Sequence, residues 1–328
     1  MPLISYIEAV NRALREEMRR DEKVFVLGED VGVKGGVFRA TQGLYEEFGE
    51  ARVIDTPLAE SAIVGVAIGA AAYGLRPVAE MQFADFIMPA VNQIVSEAAK
   101  MRYRSNGDWT CPLVIRAPWG GGVHGALYHS QSIEAMFCNT PGLKVVAPST
   151  PYDVKGLLIS AIRDEDPVLL LEHKKCYRLI KGEVPEAPYT VPIGKAEVKR
   201  DGSDLTVISF GLALHFALQA AEKLQTEDGY NAHILDLRTL YPLDKEAIVE
   251  AARKTGKVLI IHEDNKEGGV GGEVSAIIAE ECLFELDAPV KRLCGPDVPA
   301  MPYSPPMEDF FMLNPDKVYR AMKRLAQS

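Results

Sequence analysis

The chain has 328 residues, enough for two domains, and its 47% hydrophobic and 25% charged content is ordinary for a globular protein. Lys plus Arg total 36 against 46 Asp plus Glu, a formal charge of −10, which argues against a nucleic-acid or anionic-membrane binder. The five scattered cysteines (Cys111, Cys138, Cys176, Cys282 and Cys294) include no Cys-x-x-Cys pair, so neither a disulfide framework nor a zinc ribbon is indicated and a reducing compartment fits.

The opening stretch MPLISYIEAVNR carries an acid and lacks the apolar core of a secretion signal, and no apolar run is long enough to cross a bilayer. A cytoplasmic, bacterial chain is the expectation. Ser5 and Glu8 have capping-box spacing, and Ile7, Val10, Leu14 and Met18 recur at helical spacing. VFVLGED reads as a short buried strand ending at Glu29 and Asp30. RVIDTP then leads into a small-residue helix from about Glu60 to Tyr73, and PVAEMQF into a helix over 87–102. PLVIRAP leads into a glycine loop, and LKVVAPS into a helix over 151–162 followed by VLLLEH. Continuous apolar strands separated by helices predict a parallel sheet covered on both faces.

From His173 to Asp204 the pattern breaks into charged, proline-containing sequence that reads as an interdomain crossing. A second, shorter series follows: DLTVISF, a helix over 213–225, NAHILDL, a helix over 244–254, KVLIIHED, a glycine turn, a helix over 273–282, VKRLCG and a terminal helix over 315–326. PDVPAMPYSPP (296–306) reads as an ordered loop. The fold class is therefore α/β, with two domains that each contain a mainly parallel sheet flanked by helices. Residues 1–185 form the first domain, 186–203 a linker and 204–328 the second.

Ligands of open parallel sheets bind beyond the carboxyl ends of the strands. That rule selects Glu29 and Asp30, DTPLAES (55–61), QFADF (82–86), the loop WGGGVHGALYHSQS (119–132), and His262 with Glu263. Glu60 stands where a strand-exit loop enters the apolar helix IVGVAIGAAAYG. It reads either as a first-turn acid favoured by the helix dipole or as a buried carboxyl with a raised pKa, poised to share a proton. In the loop, Gly120, Gly121, Gly122 and Gly125 permit close backbone approach, while His124, His129, Ser130 and Ser132 supply chemistry. No carboxylate or cysteine there has zinc-ligand spacing. EGGVGGEV (267–274) fails the dinucleotide fingerprint because Val274 stands where a third Gly or Ala belongs, and KGGVF (34–38) lacks the ending of a P-loop.

Taken together, VLGEDVGVKGGVF, DTPLAESAIVGVAIGAA, AEMQFADFIMPAVNQI and HGALYHSQSIEA resemble the beta subunits of thiamine-diphosphate-dependent 2-oxo acid dehydrogenases, from about residue 4 to the C-terminus. ALYHSQS is more similar to the branched-chain (2-oxoisovalerate) enzymes than to those for pyruvate. The resemblance implies a pyrimidine-binding domain followed by a transketolase-type C-terminal domain. It places the catalytic glutamate on Glu60, which holds the cofactor's aminopyrimidine nitrogen, and the active-site histidine on His129, which serves acyl transfer to a lipoyl group. Leu58, Gln82 and Phe86 line the same pocket, Phe86 standing where tyrosine is frequent. His124 matches no catalytic role. A potassium ion is implied on the backbone carbonyls of Leu113, Val114, Ala161, Asp164 and Asp166. The family's magnesium–diphosphate motif, Gly-Asp-Gly followed by Asn, is missing here; the nearest piece is Asn106-Gly107-Asp108-Trp109. The implied assembly is an alpha-two beta-two heterotetramer in which the alpha subunit holds the magnesium, docked through the C-terminal domain onto a lipoyl acyltransferase core. A pyruvate or acetoin substrate, a transketolase-like fragment and a flavoprotein-like binding subunit are the alternatives.

Overall fold

A computed structural model describes all 328 residues. By contacts, one unit comprises Met1–Trp119 and Met136–Ile193 and the other Gly120–Ala135 and Gly194–Ser328. The glycine loop with His124 and His129 therefore groups with the second unit.

The first unit begins with β1 (Leu3–Ser5) and α1 (Tyr6–Arg20), whose start is fixed by the capping box: the Glu8 N–H donates to Ser5 Oγ, and the Ser5 N–H donates to the Glu8 carboxylate at 2.7 Å. Then come β2 (Val24–Gly28), α2 (Leu44–Phe48), β3 (Val53–Asp55), α3 (Glu60–Ala72) and β4 (Arg76–Glu80). The helix expected over 87–102 is instead a 3-10 stretch (Ala84–Ala90), a π stretch (Asn92–Ala98) and the short α4 (Met101–Arg104). Pro89 lacks an N–H and cannot continue an α ladder, which accounts for the break in its first half. β5 (Val114–Trp119), α5 (Glu134–Cys138), β6 (Lys144–Val146), α6 (Pro151–Arg163), β7 (Val168–His173), α7 (Cys176–Leu179) and β8 (Lys181–Glu183) follow.

Six strands of this unit pair in parallel in the order β6-β7-β5-β4-β2-β3, while β8 returns antiparallel to β1. Every residue of β2, β5 and β7 is buried, as a sheet covered on both faces requires.

The second unit contains β9 (Glu197–Arg200), β10 (Leu205–Ser209), α8 (Gly211–Asp228), β11 (Ala232–Asp236), β12 (Thr239–Tyr241), α9 (Lys245–Thr255), β13 (Val258–Asn265), α10 (Val270–Cys282), β14 (Lys291–Gly295), α11 (Pro305–Phe311) and α12 (Pro315–Ala326). Its sheet runs β14-β13-β10-β11-β9, parallel except for the antiparallel edge strand β9. Leu205, Val207, Leu214, Ala217, Ile234, Ile261, Val318 and Met322 form its core, closing α8 and α12 onto the sheet. The segment expected to be loop up to 306 already turns into α11 at Pro305, a residue suited to a first helical turn. No helix is long and apolar enough to cross a membrane.

Candidate active site

Three neighbouring parallel strands assemble the first group. β2 lies between β3 and β4, with Gly28 in register with Asp55 on one side and Glu80 on the other. The residues just past those ends are Glu29, the loop from Thr56 to Ala59 that enters α3 at Glu60, and Gln82. Gly28 makes this approach possible, since a Cβ there would stand 2.7 Å from the Glu80 carbonyl oxygen.

The burial that the sequence suggested for Glu60 falls on Glu29. Glu60 is half-buried at the first turn of α3, whereas Glu29 is 4% exposed and both its carboxylate oxygens lack a hydrogen-bond partner. Burial, with Glu60 and Asp30 nearby, pushes the Glu29 carboxyl up to about 7. Two acids thus face each other at one strand end, and one of them is poised to hold a proton near neutrality.

Gln82 and Phe86 are half-buried, and Leu58 is 78% exposed. Phe86 packs edge-on against Phe83 at 5.8 Å, Phe83 against Phe38 at 5.4 Å, and Phe38 against Tyr177 at 5.2 Å. This aromatic row leads to a charge network that sequence reading missed. Arg116 on β5 is fully buried and forks onto Glu172 at 2.6 and 2.7 Å and onto Glu80 at 2.5 Å; the Tyr177 hydroxyl also donates to Glu172, at 2.6 Å. The available signal was a single charge inside each apolar run (PVAEM, LVIRAP and VLLLEH).

In the second unit, the loop Gly120–Ala135 is closed at its neck by the Gly120 N–H donating to the Gln131 carbonyl at 3.0 Å. His129 is half-buried and His124 exposed. Glu263, at the end of β13, accepts from the Gly121 N–H at 2.5 Å and from the Ser132 hydroxyl at 3.2 Å. Glu308 of α11 accepts from the N–H groups of Gly122 at 3.0 Å and His124 at 3.2 Å, and its second oxygen meets His124 Nδ1. Burial beside Asp264 and Glu263 drives the Glu134 carboxyl well above the carboxylate range, and Asp264 is itself pushed up to about 6, mainly by burial. His262 is structural: it is fully buried, burial lowers it to about 4, and its Nε2 accepts from the Gly271 N–H at 3.2 Å, anchoring the first turn of α10.

Of the carbonyls expected to hold potassium, that of Leu113 accepts from the Val168 N–H at 2.9 Å. Ala161 O accepts from the Asp164 N–H, and Asp164 O accepts from the Arg76 guanidinium at 3.1 Å. Val114 and Asp166 flank them in β5 and before β7.

A family model described as "Transketolase, pyrimidine binding domain" matches residues 3–180, and "Transketolase, C-terminal domain" matches 194–318. The chain is 72% identical to the 2-oxoisovalerate dehydrogenase subunit beta of Bacillus subtilis, covering 100% of both chains. It is 50% identical to the pyruvate dehydrogenase E1 component subunit beta of the same organism, covering 93% of each. Among solved structures it is similar to a split gene transketolase, described as an inactive beta4 tetramer, with a TM-score of 0.78, 26% identity and coverage of 99% of this chain and 98% of that one.

Proposed function

The chain belongs to the beta-subunit family of the 2-oxo acid dehydrogenases, and from that membership we propose that it serves a branched-chain 2-oxo acid, with thiamine diphosphate shared between it and an alpha subunit. The observation that carries the reading is the strand-end pair: a buried Glu29 with unpartnered oxygens beside Glu60, with Gln82 and Phe86 past the adjoining strand. These residues fit an aminopyrimidine, a flat group with nitrogens that share protons and a face that stacks.

When bound, the cofactor supplies a reactive thiazolium carbon for the 2-oxo group and an electron sink for the pair left by carbon dioxide. This chain's part is to hold the ring and manage its proton. Glu60 would hold a proton at its carboxyl oxygen against the ring nitrogen. Glu29, raised to about 7, keeps a second negative charge off that site below neutrality. Phe86 would offer its face to the ring, and Leu58 and Gln82 would close the sides. His129 would deliver the proton to the lipoyl sulfur as the acyl group is taken.

The large apolar side chains left exposed support an assembly. On the first unit they include Leu58, Val66, Tyr73 and Tyr103, the last two more than 90% exposed. On the second unit Phe284 and Phe310 suit docking onto the acyltransferase core. An alpha-two beta-two heterotetramer is the proposed assembly, with magnesium and diphosphate on alpha, in a cytoplasm that keeps the free cysteines reduced. Potassium on the carbonyls of Leu113, Val114, Ala161, Asp164 and Asp166 remains part of the proposal, with Arg76 as the competing cation on Asp164.

The test is carbon dioxide release from 3-methyl-2-oxobutanoate and from pyruvate, with the chain alone and co-expressed with its alpha-like partner, thiamine diphosphate and magnesium being present. Activity only with the partner, higher on the branched acid and lost in Glu60→Gln, supports the reading. Preference for pyruvate keeps the mechanism and changes the substrate. Turnover by the chain alone overturns the shared site.

A further inference from the structure

The loop that carries His129 is built in a conformation its own sequence does not favour. Gly120 and Gly122 have positive φ, but so do two non-glycine residues, His124 at 57° and Ala126 at 55°. His129 also sits so close to the preceding turn that a Cβ at Gly125 would stand 2.7 Å from the His129 Cβ. A loop of this kind keeps its shape only if something outside it fixes the backbone.

Two buried carboxylates do so, and between them they hold the chain both before and after His129. Glu308, 1% exposed, takes the N–H groups of Gly122 and His124 on one oxygen, and its other oxygen lies against the His124 ring. Glu263, 7% exposed, takes the Gly121 N–H and, beyond His129, the Ser132 hydroxyl. Charged acceptors on backbone donors make short, strong bonds, and both carboxylates come from ordered elements of the same unit, β13 and α11. The bed beneath is tight as well, since a Cβ at Gly121 would meet Met301 Cε at 2.5 Å and Met312 Sδ at 2.9 Å.

We propose that Glu308 and Glu263 are positioning residues for His129, clamping its loop in the geometry that acyl transfer to the lipoyl group requires, and that His124 acts as the loop's contact to Glu308 rather than in the chemistry. The inference rests on the role given to His129 above. It predicts that the clamp matters to acyl transfer and little to decarboxylation.

The experiment uses the alpha–beta assembly with Glu308→Ala, Gly125→Ala and His129→Ala, and the double variant Glu308→Ala/His129→Ala. Decarboxylation is read with a dye acceptor that needs no lipoyl group, and acyl transfer with an isolated lipoyl domain. Glu308→Ala is expected to lose at least about 30-fold in acyl transfer with dye-linked decarboxylation within about threefold, and Glu308→Gln to recover part of the loss. The double variant is expected to be no worse than His129→Ala, because a positioning residue has nothing left to position. Amide hydrogen exchange on the assembly supplies a readout independent of turnover, and Glu308→Ala is expected to speed exchange across 120–132. Should Glu308→Ala fail to fold, Gly125→Ala tests the same geometry from inside the loop and is expected to show the same split. Equal losses in both half-reactions, additive losses in the double variant, or unchanged exchange would overturn the clamp. If the wild-type assembly exchanges slowly at the loop but has no 2-oxo acid activity, the functional reading has failed and faster exchange in Glu308→Ala still supports the clamp.

Discussion

Replacing Glu29 by Gln should make the chain more stable at pH 8 and change little at pH 5. Gln has the shape of a protonated glutamate and cannot ionise. The wild-type carboxyl, buried and beside Glu60 and Asp30, is raised to about 7 from its ordinary 4.5. The folded state therefore binds the proton more tightly than the unfolded chain does. The stability this provides is full below about pH 4.5 and is lost as pH rises through about 7. With about 1.4 kcal/mol per pKa unit, the wild type forfeits about 3 kcal/mol by pH 8, most of it after pH 5. The Glu29→Gln variant escapes the loss, so its advantage should grow by about 2–3 kcal/mol between the two pH values. For a unit of this size that is a difference of about 5–10 °C in midpoint. Thermal unfolding of the chain and of Glu29→Gln, at matched concentration and salt at pH 5 and pH 8, reads it directly. An advantage that is the same at both pH values, or a variant less stable at pH 8, would refute the account of Glu29 as a carboxyl held at neutrality by burial.

Other residues allow further tests. Glu60→Gln, assayed with the alpha-like partner, should cut carbon dioxide release by at least about 100-fold, the scale of a lost acid–base group, while gel filtration shows an unchanged assembly; more than a tenth of the activity remaining would remove Glu60 from its role. Arg116→Met leaves Glu80 and Glu172 buried without their cation and should cost about 3–5 kcal/mol, seen as a fall in the thermal midpoint of the chain. Ser5→Ala removes the N-cap of α1 and should cost about 1 kcal/mol, measured in the same way.

What the sequence made legible was whatever depends on local pattern. The start of α1 follows from Ser5 and Glu8 alone, and the strand runs VFVLG, PLVIRAP and VLLLEH are apolar because both faces of the sheet are covered. The rule that ligands gather at strand ends selected Glu29, Glu60 and Gln82 from residues far apart in the chain. Two kinds of information were hidden. Which carboxyl at a strand end is buried depends on how the next loop folds over it, so the periodicity around Glu60 could not transfer the burial to Glu29. The contacts of the His129 loop span large sequence separations, from Gly121 to Glu263 and from Gly122 to Glu308, and no local signal encodes them. Pro89 carries a local signal for the break in the helix expected over 87–102, since a residue without an N–H cannot continue an α ladder.

Charge decides which half of the cofactor a site of this kind can hold. The strand ends of the first unit gather Glu29, Asp30, Asp55 and Glu60, and the one lysine paired there, Lys34, is taken by Asp30. Asp55 is engaged as well, accepting the Gly32 N–H at 2.6 Å. A diphosphate brought among these acids would meet like charge, to which Glu29 adds its own only as pH rises through about 7. An aminopyrimidine carries no phosphate charge and gains from an acid that shares its proton. The strand ends that would suit Glu60 to the ring would thus be a poor cradle for a diphosphate, which favours the proposal that the cation and donors for the phosphates come from the alpha subunit. This distribution of charge supports the proposed division of the site between beta and alpha, as does the lack of a Gly-Asp-Gly motif.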